Sequence, residues 1–428
     1  MHKEQAHKEP RQETPPQKEQ VELRQVAPDI LITSVLNPSM RVFDIEMRTG
    51  YGTSYNSYAV IGSQKTALID ACHASFARDW LEKIDAALGG MPPDYLVMNH
   101  TEPDHSGAVS ALLERWPQIP IIVSAPGAMN LKHITNREDL NLQMIKTTSH
   151  LDLGDISLHF ILAPFLHWPD TMFTWLPERK VLFSGDFLGA HFCEPRLFDT
   201  QVLYRRDYIH EMESYFNSIM GPFKSYVLQG LDKLADINAN FICPSHGPIV
   251  TKGCELENSL VRYRQWATPR PAQPTRIALF YCSAYGNTAR LAEHIVQGVT
   301  EILPAAHISS HNLVLNEPGD LHEALNNSDA LLIGSPTINR DALPVVWNLL
   351  AEIDAINIVK RPVALFGTYG WSGEAVPHLA ARLQNLRARV FEPQLRVRFV
   401  PRATDLEAAK GFGRNFARQT FLPQEGDV

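Results

Sequence analysis

The sequence predicts an α/β protein whose two halves are built differently and joined by a short linker. Residues 29–266 contain many short runs of β-branched and aromatic residues separated by turn residues, which is typical of strands with few helices between them. Residues 275–428 alternate continuous apolar strands with amphipathic helices, which predicts a doubly wound parallel sheet. Residues 267–274 contain Pro269, Pro271 and Pro274, so we expect a semi-extended linker there.

Residues 1–28 differ in composition from both halves. They are rich in Lys, Glu, Gln and Pro and poor in aliphatic residues. Such a segment cannot bury enough apolar surface to offset the entropy lost on ordering. We therefore predict a disordered N-terminal extension over residues 1–28.

The predicted strands of the first half are, in order, RVFDIE, SYNSYAVIG, KTALIDA, DYLVMNH, IPIIVSA, ISLHFILAP, KVLFSGD and FICPSHGP. Several of these strands end on a His or an Asp, where a rigid scaffold can hold functional groups. In the second half, the strand RIALFYC precedes a helix that carries Leu291, Ile295 and Val299 on one face, as an amphipathic helix requires. The strands ALLIGS and PVALFGTYG are each followed by a similar helical pattern.

Composition excludes several classes of protein. The 428 residues have a formal net charge of −8, which argues against a nucleic-acid binder. No apolar run reaches the roughly 18 residues of a membrane span, and no secretory signal is visible. The five cysteines include no C-x-x-C pair, so a disulfide framework, a zinc ribbon and a rubredoxin-type iron site are not expected. A reducing, cytoplasmic location fits this cysteine usage best.

The strongest motif is the loop His100-Thr101-Glu102-Pro103-Asp104-His105, which follows the strand DYLVMN. At a buried strand end, its two carboxylates would cost several kcal/mol each unless a cation neutralised them. Three more ligand-type residues follow later strands, namely His167, Asp186 and His246. Four histidines and three carboxylates exceed what one tetrahedral zinc needs and suit two metals that share a bridging carboxylate.

Three polar, Gly-bearing loops follow three strands of the second half and predict one ligand site at the carboxyl edge of its sheet. The first loop precedes a helix and offers hydroxyl and N–H groups for an anion. The loops contain Ser283, Ala284, Tyr285, Gly286, Asn287 and Thr288; Pro336, Thr337, Ile338 and Asn339; and Thr368, Tyr369, Gly370, Trp371 and Gly373.

These motifs resemble two known families. The loop H-x-[EH]-x-D-H followed by spaced His, Asp and His is similar to the metallo-β-lactamase superfamily, and the S-x-Y-G-N-T loop is similar to flavodoxins. Glu102 stands where most lactamase-type members have His, and H-x-E-x-D-H is the pattern of the flavodiiron proteins, or A-type flavoproteins. The resemblance implies an N-terminal αββα sandwich over residues 29–266 and a flavodoxin-like domain over residues 275–428.

The resemblance also implies cofactors and roles. One iron would be held by His100, Glu102 and His167 and the other by Asp104, His105 and His246, with Asp186 bridging the two. The S-x-Y-G-N-T loop would hold the FMN phosphate, and Tyr369 or Trp371 would stack on the flavin. The expected activity is reduction of dioxygen to water, of nitric oxide to nitrous oxide, or of both.

Partners are implied in the same way. The electron donor would be a separate protein, rubredoxin, with a reduced deazaflavin as a second option. A head-to-tail homodimer, or a dimer of such dimers, would place the FMN of one chain next to the diiron site of the other.

Alternative readings remain at this point. One is a metallo-hydrolase fused to a flavodoxin, and another is an electron carrier in which only the flavodoxin half works. His191 is a candidate partner of a metal ligand, and Tyr51 is a candidate gate that could equally serve packing. His73, His150 and His159 lie outside the motif and are expected to be surface or core residues.

Overall fold

The computed structural model describes residues 23–43, 47–146, 149–269, 274–316 and 318–422. It divides into two compact units, Met1–Thr268 and Pro269–Val428. The predicted linker spans this division, although its first residue, Ala267, still belongs to a helix. Residues 270–273 of the linker lie outside the described residues.

The strands of the first unit are, in chain order, β1 (Gln25–Ala27), β2 (Ile30–Ile32), β3 (Val35–Asn37), β4 (Val42–Phe43), β5 (Met47–Arg48), β6 (Thr53–Tyr55), β7 (Tyr58–Ile61), β8 (Thr66–Ile69), β9 (Tyr95–Met98), β10 (Ile121–Val123), β11 (Leu142–Met144), β12 (His150–Asp152), β13 (Ser157–Leu162), β14 (Met172–Leu176), β15 (Val181–Gly185), β16 (Phe241–Pro244) and β17 (Val250–Thr251). Its α-helices are α1 (Ala77–Leu88), α2 (Pro103–Ser106), α3 (Val109–Arg115), α4 (Ala125–Thr135), α5 (Arg205–Tyr215), α6 (Lys224–Lys233) and α7 (Leu256–Ala267).

Most of these strands form two large sheets that pack face to face, and β3 with β6 and β4 with β5 form two-stranded sheets beside them. Within the described residues, the first sheet has the order β1-β2-β7-β8-β9-β10-β11 and the second runs from β12 to β17 in sequence order. Successive side chains of a strand point to opposite faces. Ile69 and Val97 accordingly pack against Phe183 of the second sheet, whereas Leu68 and Leu96 pack against α1.

Helices cover the outer face of each sheet. Trp80 of α1 belongs to the core on the outside of the first sheet. Met212 of α5 and Tyr263 of α7 belong to the core on the outside of the second, with Leu182 of β15. The result is a four-layer αββα sandwich.

The second unit is a parallel sheet between two layers of helices. Its strands are β18 (Arg276–Tyr281), β19 (His307–Asn312), β20 (Ala330–Gly334), β21 (Pro362–Tyr369), β22 (Arg389–Val390) and β23 (Leu395–Arg398). Its helices are α8 (Asn287–Ile302), α9 (Pro318–Asn327), α10 (Pro344–Ala351), α11 (Ala375–Asn385) and α12 (Ala403–Phe421). The order is β19-β18-β20-β21-β22, and β23 pairs with the last part of β21. α8 and α12 pack on one face, and α10 and α11 pack on the other.

The N-terminal extension was predicted over residues 1–28, and this was wrong for residues 25–27. These three residues form β1, which pairs antiparallel with β2, and Val26 is buried against the core. The average composition of the segment concealed this short strand at its end. Residues 1–22 lie outside the described residues.

Among the described residues, no helix is both long enough and apolar enough to cross a membrane.

Candidate functional site

Seven ligand-type side chains from four separate loops meet at one edge of the sandwich. His100, Glu102, Asp104 and His105 follow β9, and the last two lie on the short helix α2. His167, Asp186 and His246 come after β13, β15 and β16. β14 is antiparallel to both β13 and β15, and β16 is parallel to β15. The chain therefore leaves β13, β15 and β16 at the same edge.

The side chains form two groups, each able to surround one ion. The first group contains His100, Glu102, His167 and Asp186, and the second contains Asp104, His105 and His246. Within each group, the candidate ligand atoms lie within 4.8 Å of one another. The first and second positions below refer to these two groups.

Asp186 connects the two positions because its two carboxylate oxygens face different groups. Oδ2 lies 3.4 Å from Nε2 of both His100 and His167. Oδ1 lies 3.0 Å from Nε2 of His105 and 3.6 Å from Nε2 of His246. This is the placement that a bridging carboxylate requires.

The donor atoms fit cations better than they fit one another. Both oxygens of Asp104 and the Nε2 atom of His105 are buried without a hydrogen-bond partner among the described residues. Nδ1 of His246 donates to the carbonyl oxygen of Ser54 (2.8 Å), which leaves a lone pair on Nε2. That Nε2 lies 2.9 Å from Oδ2 of Asp104. A cation bound by both atoms would satisfy them, whereas each buried polar atom left unpaired costs about 1–3 kcal/mol.

The electrostatics of the pocket also favour positive charge. Burial alone would lower the pKa of His105, but the nearby carboxylates of Asp104 and Asp186 raise it to about 9. The ligand atoms are enclosed, since the side chains of Glu102 and His167 are 10% and 13% exposed and the others less. Oxygen and imidazole donors in such a set suit iron.

Further side chains hold these ligands, and sequence reasoning missed most of them. Asp170 accepts a hydrogen bond from Nδ1 of His100. Thr53 lies between His246 and His191, with its Oγ1 3.3 Å and 3.0 Å from their Nδ1 atoms. His191 was the one residue of this kind that the sequence suggested, and its ring lies 4.8 Å from that of His246. Burial and the neighbouring His246 hold the pKa of His191 well below its ordinary value.

Several aromatic rings lie beside the ligand histidines, whereas Tyr51 packs on a different residue. Tyr51 is 40% exposed, stacks on Phe192 and has its pKa raised chiefly by a hydrogen bond with Asp207. Tyr215, at the end of α5, instead lies against His246 and His191. Its position had no sequence signal, because a buried tyrosine on a helix usually indicates core packing.

Of the histidines outside the motif, His73, His150 and His159 belong to neither ligand group. His73 accepts a hydrogen bond from the backbone N–H of Ser75 at the start of a short helix. His150 and His159 form a cross-strand pair on β12 and β13.

The three flavin-type loops meet at the carboxyl edge of the sheet in the second unit. They follow β18, β20 and β21, which are neighbours in the sheet. The hydroxyl groups of Thr288 and Thr368 lie 2.9 Å apart, and Thr337 donates its N–H to the carbonyl of Thr368 (2.8 Å). These bonds connect all three loops, so the predicted residues of one loop adjoin those of the others.

Local conformation at these loops is suited to a ligand. Ser283 accepts the N–H of Ala289 in the first turn of α8, and Gly286 begins that helix with φ = 76°. Gly373 has φ = 78°, and a Cβ there would lie 2.9 Å from the ring of Tyr369. Tyr285 and Trp371 are 89% and 80% exposed, which leaves aromatic faces for a planar ring to cover. Hydroxyl groups and N–H groups at a helix start suit a phosphate.

Comparison with known proteins supports both halves of this description. A family model described as ODP family beta lactamase matches residues 53–247, and one described as Flavodoxin matches residues 279–413. The chain is 45% identical over 391 residues to the flavo-diiron protein FprA2 of Clostridium acetobutylicum, which covers 91% of this chain and 98% of that protein.

Two further similarities concern proteins named for their activity. An anaerobic nitric oxide reductase flavorubredoxin of Aeromonas hydrophila is 31% identical over 380 residues, covering 88% of this chain and 75% of that one. The rubredoxin oxygen:oxidoreductase structure from Desulfovibrio gigas superimposes with a TM-score of 0.73 at 26% identity, covering 93% of this chain and 98% of that one.

These findings confirm the predicted fold class, a metallo-β-lactamase-like domain followed by a flavodoxin-like domain. Relatives of this similarity, aligned over most of both chains, also establish the family. The chain therefore belongs to the flavodiiron proteins and is an oxidoreductase whose cofactors are FMN and a non-haem diiron centre.

Proposed function

We propose that this protein reduces dioxygen to water at its diiron site, and that nitric oxide, reduced to nitrous oxide, is the alternative substrate of the same site. The placement of Asp186 between two ligand groups carries the proposal, because a bridged pair of metals can act on both atoms of a diatomic substrate. Close similarity to a flavo-diiron protein and likeness to a rubredoxin oxygen:oxidoreductase support it.

The geometry and the family resemblance together support the following cofactor-binding residues. The first iron would be held by His100, Glu102 and His167, the second by Asp104, His105 and His246, and Asp186 would bridge them. The FMN phosphate would lie at the start of α8, held by Ser283 to Thr288. Pro336 to Asn339 and Thr368 to Gly373 would line the ring.

The electron count favours dioxygen as a substrate. When bound, the flavin and the two irons together supply four electrons, the number that one dioxygen needs to form two waters with four protons. Coupling two molecules of nitric oxide to nitrous oxide and water consumes two electrons and two protons. The second reaction is supported by the similarity to a nitric oxide reductase flavorubredoxin.

The chain's own groups would exclude water and hold protons near the substrate. Trp168 packs edge-on against His100, and Phe223 lies beside His167 (ring centroids 5.2 and 6.4 Å apart). These rings give the first position an apolar border. On the other side, burial and the Asp186 carboxylate raise the pKa of Tyr215 well above its ordinary value. Its buried hydroxyl therefore keeps its proton and can donate a hydrogen bond.

An oxygen electrode and a nitric oxide electrode, used on one preparation, test the substrate. NADH with rubredoxin and its reductase should drive rapid oxygen consumption, and NADH alone should not, because the proposed donor is a separate rubredoxin. Iron and FMN are quantified on the same sample.

Nitric oxide consumption that is much faster than oxygen consumption would reverse the substrate order. Rapid reduction of FMN by NADH alone would contradict the proposed donor, and zinc in place of iron would contradict the oxidoreductase mechanism.

We also propose a cytoplasmic location, supported by five free cysteines. A reduced deazaflavin remains the second candidate donor. It is tested by replacing rubredoxin with that compound in the same assay.

The proposed assembly is a head-to-tail homodimer, alone or as a dimer of dimers, in which each flavin serves the partner's diiron site. Coexpression of two inactive variants tests this arrangement. Asp186→Asn removes the bridging carboxylate, and Ser283→Ala with Thr288→Val removes hydroxyl groups of the flavin site. In a head-to-tail dimer, each mixed pair regains one complete site, so roughly a quarter of wild-type activity should return. Mixed dimers, isolated by two affinity tags, that stay inactive would show that electrons pass within one chain.

A further inference from the structure

The two metal positions differ in the groups that contact the Nδ1 atoms of His100 and His246, the ring nitrogens that face away from the metal positions. Behind the first position, Nδ1 of His100 lies 3.2 Å from Oδ2 of Asp170, a carboxylate. Behind the second position, Nδ1 of His246 bonds to the carbonyl oxygen of Ser54 and lies near the hydroxyl of Thr53. Nδ1 of His100 therefore contacts a charged group, whereas Nδ1 of His246 contacts neutral groups.

Asp170 is held rigidly in this position. The same Oδ2 accepts the N–H and the hydroxyl of Thr101, at 2.8 and 2.7 Å. Ser124 donates its hydroxyl to the backbone carbonyl of Asp170 (2.7 Å). Asp170 is 1% exposed and lies three residues after His167, so it connects the loop of His167 to the loop of His100.

The described residues place no comparable charge beside Nδ1 of His246. His191, which shares Thr53 with it, packs between the rings of Phe43 and Tyr215, with centroids 4.4 and 5.0 Å away. His246 meets the carboxylates of Asp104 and Asp186 through Nε2. Among the described residues, no carboxylate pairs with its Nδ1, whereas Nδ1 of His100 pairs with Asp170.

The carboxylates near the two positions differ in how they contact the ligands. Asp186 is shared by both positions. Glu102 belongs to the first and Asp104 to the second. Asp170 is a further negative charge, and it is hydrogen-bonded to a ligand of the first position. Asp70 is also buried and lies near both His105 and His100, but its oxygens accept hydrogen bonds from Asn99. A histidine that donates to a carboxylate is a more basic ligand, and such outer partners tune metal affinity and potential.

We propose that Asp170 is a positioning residue that makes the first metal position the more electron-rich of the two, so that the ferric state forms there first. The proposal rests on the proposed diiron function. In a titration, an iron(II) ion at the first position would pass one electron to a one-electron oxidant such as ferricyanide, which becomes ferrocyanide. The iron at the second position stays ferrous until a second equivalent is added.

The test is Asp170→Asn in the full-length, iron-loaded protein. An asparagine oxygen can still accept from Thr101, but the negative charge on the His100 side is lost. We expect the midpoint potential of the first oxidation to rise and the Mössbauer signal of the first-formed ferric ion to change. We also expect iron affinity at one of the two positions to fall about 10–100-fold, the usual effect of losing such a partner.

Two further variants separate this role from a structural one. Asp170→Glu keeps the charge and should restore a first potential close to that of the wild type. Thr53→Val removes the neutral hydroxyl behind His246 and should leave the first potential and the first ferric signal unchanged. If Asp170→Asn takes up no iron, the proposal requires Asp170→Glu to take it up.

The measurements distinguish failure of the proposed role of Asp170 from failure of the proposed diiron function. A wild-type protein that holds zinc or no metal would overturn the function itself. A wild-type protein that holds two irons and consumes oxygen, while Asp170→Asn keeps the same first potential and spectrum, would overturn only the role of Asp170. Equal shifts of the first midpoint potential in Asp170→Asn and Thr53→Val would also overturn the proposed role of Asp170.

Discussion

Replacing Asp186 with asparagine is expected to lower the iron content from about two ions per chain to below about one and to reduce turnover at least about a hundredfold. The two oxygens of Asp186 face different ligand groups, at 3.0 to 3.6 Å from four histidine nitrogens. An amide offers one neutral oxygen in place of two charged ones, so it can serve one position at most. FMN content should stay unchanged, because the flavin loops belong to the other unit.

A matched variant controls for the loss of a buried carboxylate. Asp199 is likewise buried in the first unit, where its Oδ2 accepts backbone N–H groups of Thr251 and Glu255. Asp199→Asn should retain iron, since an amide oxygen can accept the same bonds. Iron is measured colorimetrically and thermal unfolding by circular dichroism. An Asp186→Asn protein with two irons and full activity would refute the bridging role, and equal iron loss in both variants would indicate general destabilisation.

Removing two hydroxyl groups at the start of α8, with Ser283→Ala and Thr288→Val, is expected to weaken FMN binding at least about a hundredfold. Ser283 accepts an N–H in the first turn of the helix, and Thr288 is buried and bonded to Thr368 of a neighbouring loop. A hydrogen bond to a charged group is worth about 1.5–3 kcal/mol, so two of them to a phosphate account for this loss. Iron content should remain at the wild-type level.

The control for this variant lies on the same helix. Thr300 is exposed near the other end of α8, where its hydroxyl bonds to the carbonyl of Val296. Thr300→Val should bind FMN like the wild type, as measured by the quenching of flavin fluorescence during titration of the apoprotein. Unchanged FMN affinity in the double variant would contradict the proposed phosphate site. A parallel loss in Thr300→Val would point to damage of the helix.

Much of the candidate site could be predicted from the sequence because its parts are local. His100 to His105 lie within six residues, and His167, Asp186 and His246 each follow an apolar strand. Strands that run in one direction in a sheet end at the same edge, which brings His167, Asp186 and His246 together. The loop after β9 belongs to the other sheet, so its meeting with these residues depends on how the two sheets pack. The three flavin loops follow the same rule, so the sequence could predict that they form one site, although it could not predict the contacts between them.

Other parts had no local pattern. The hydrogen bond from His246 to Ser54 joins residues 192 positions apart, and the bond from His100 to Asp170 joins residues 70 positions apart. Nothing in the sequence indicated that Tyr215 lies beside the metal ligands, and the role of Tyr51 stayed open between gating and packing. One strand or helix does not reveal which face meets the site. Strand β1 was hidden in a polar segment, since its burial depends on pairing with β2.

The sequence by itself therefore determined the two-domain α/β class, the seven candidate ligands and the loops of the flavin site. Residue type and position after a strand are enough for such features. Only the tertiary structure decided that Asp186 divides its oxygens between the two positions and that a carboxylate backs one histidine while a carbonyl backs the other. Those features depend on contacts between distant segments, whose distances follow from the packing of the two sheets.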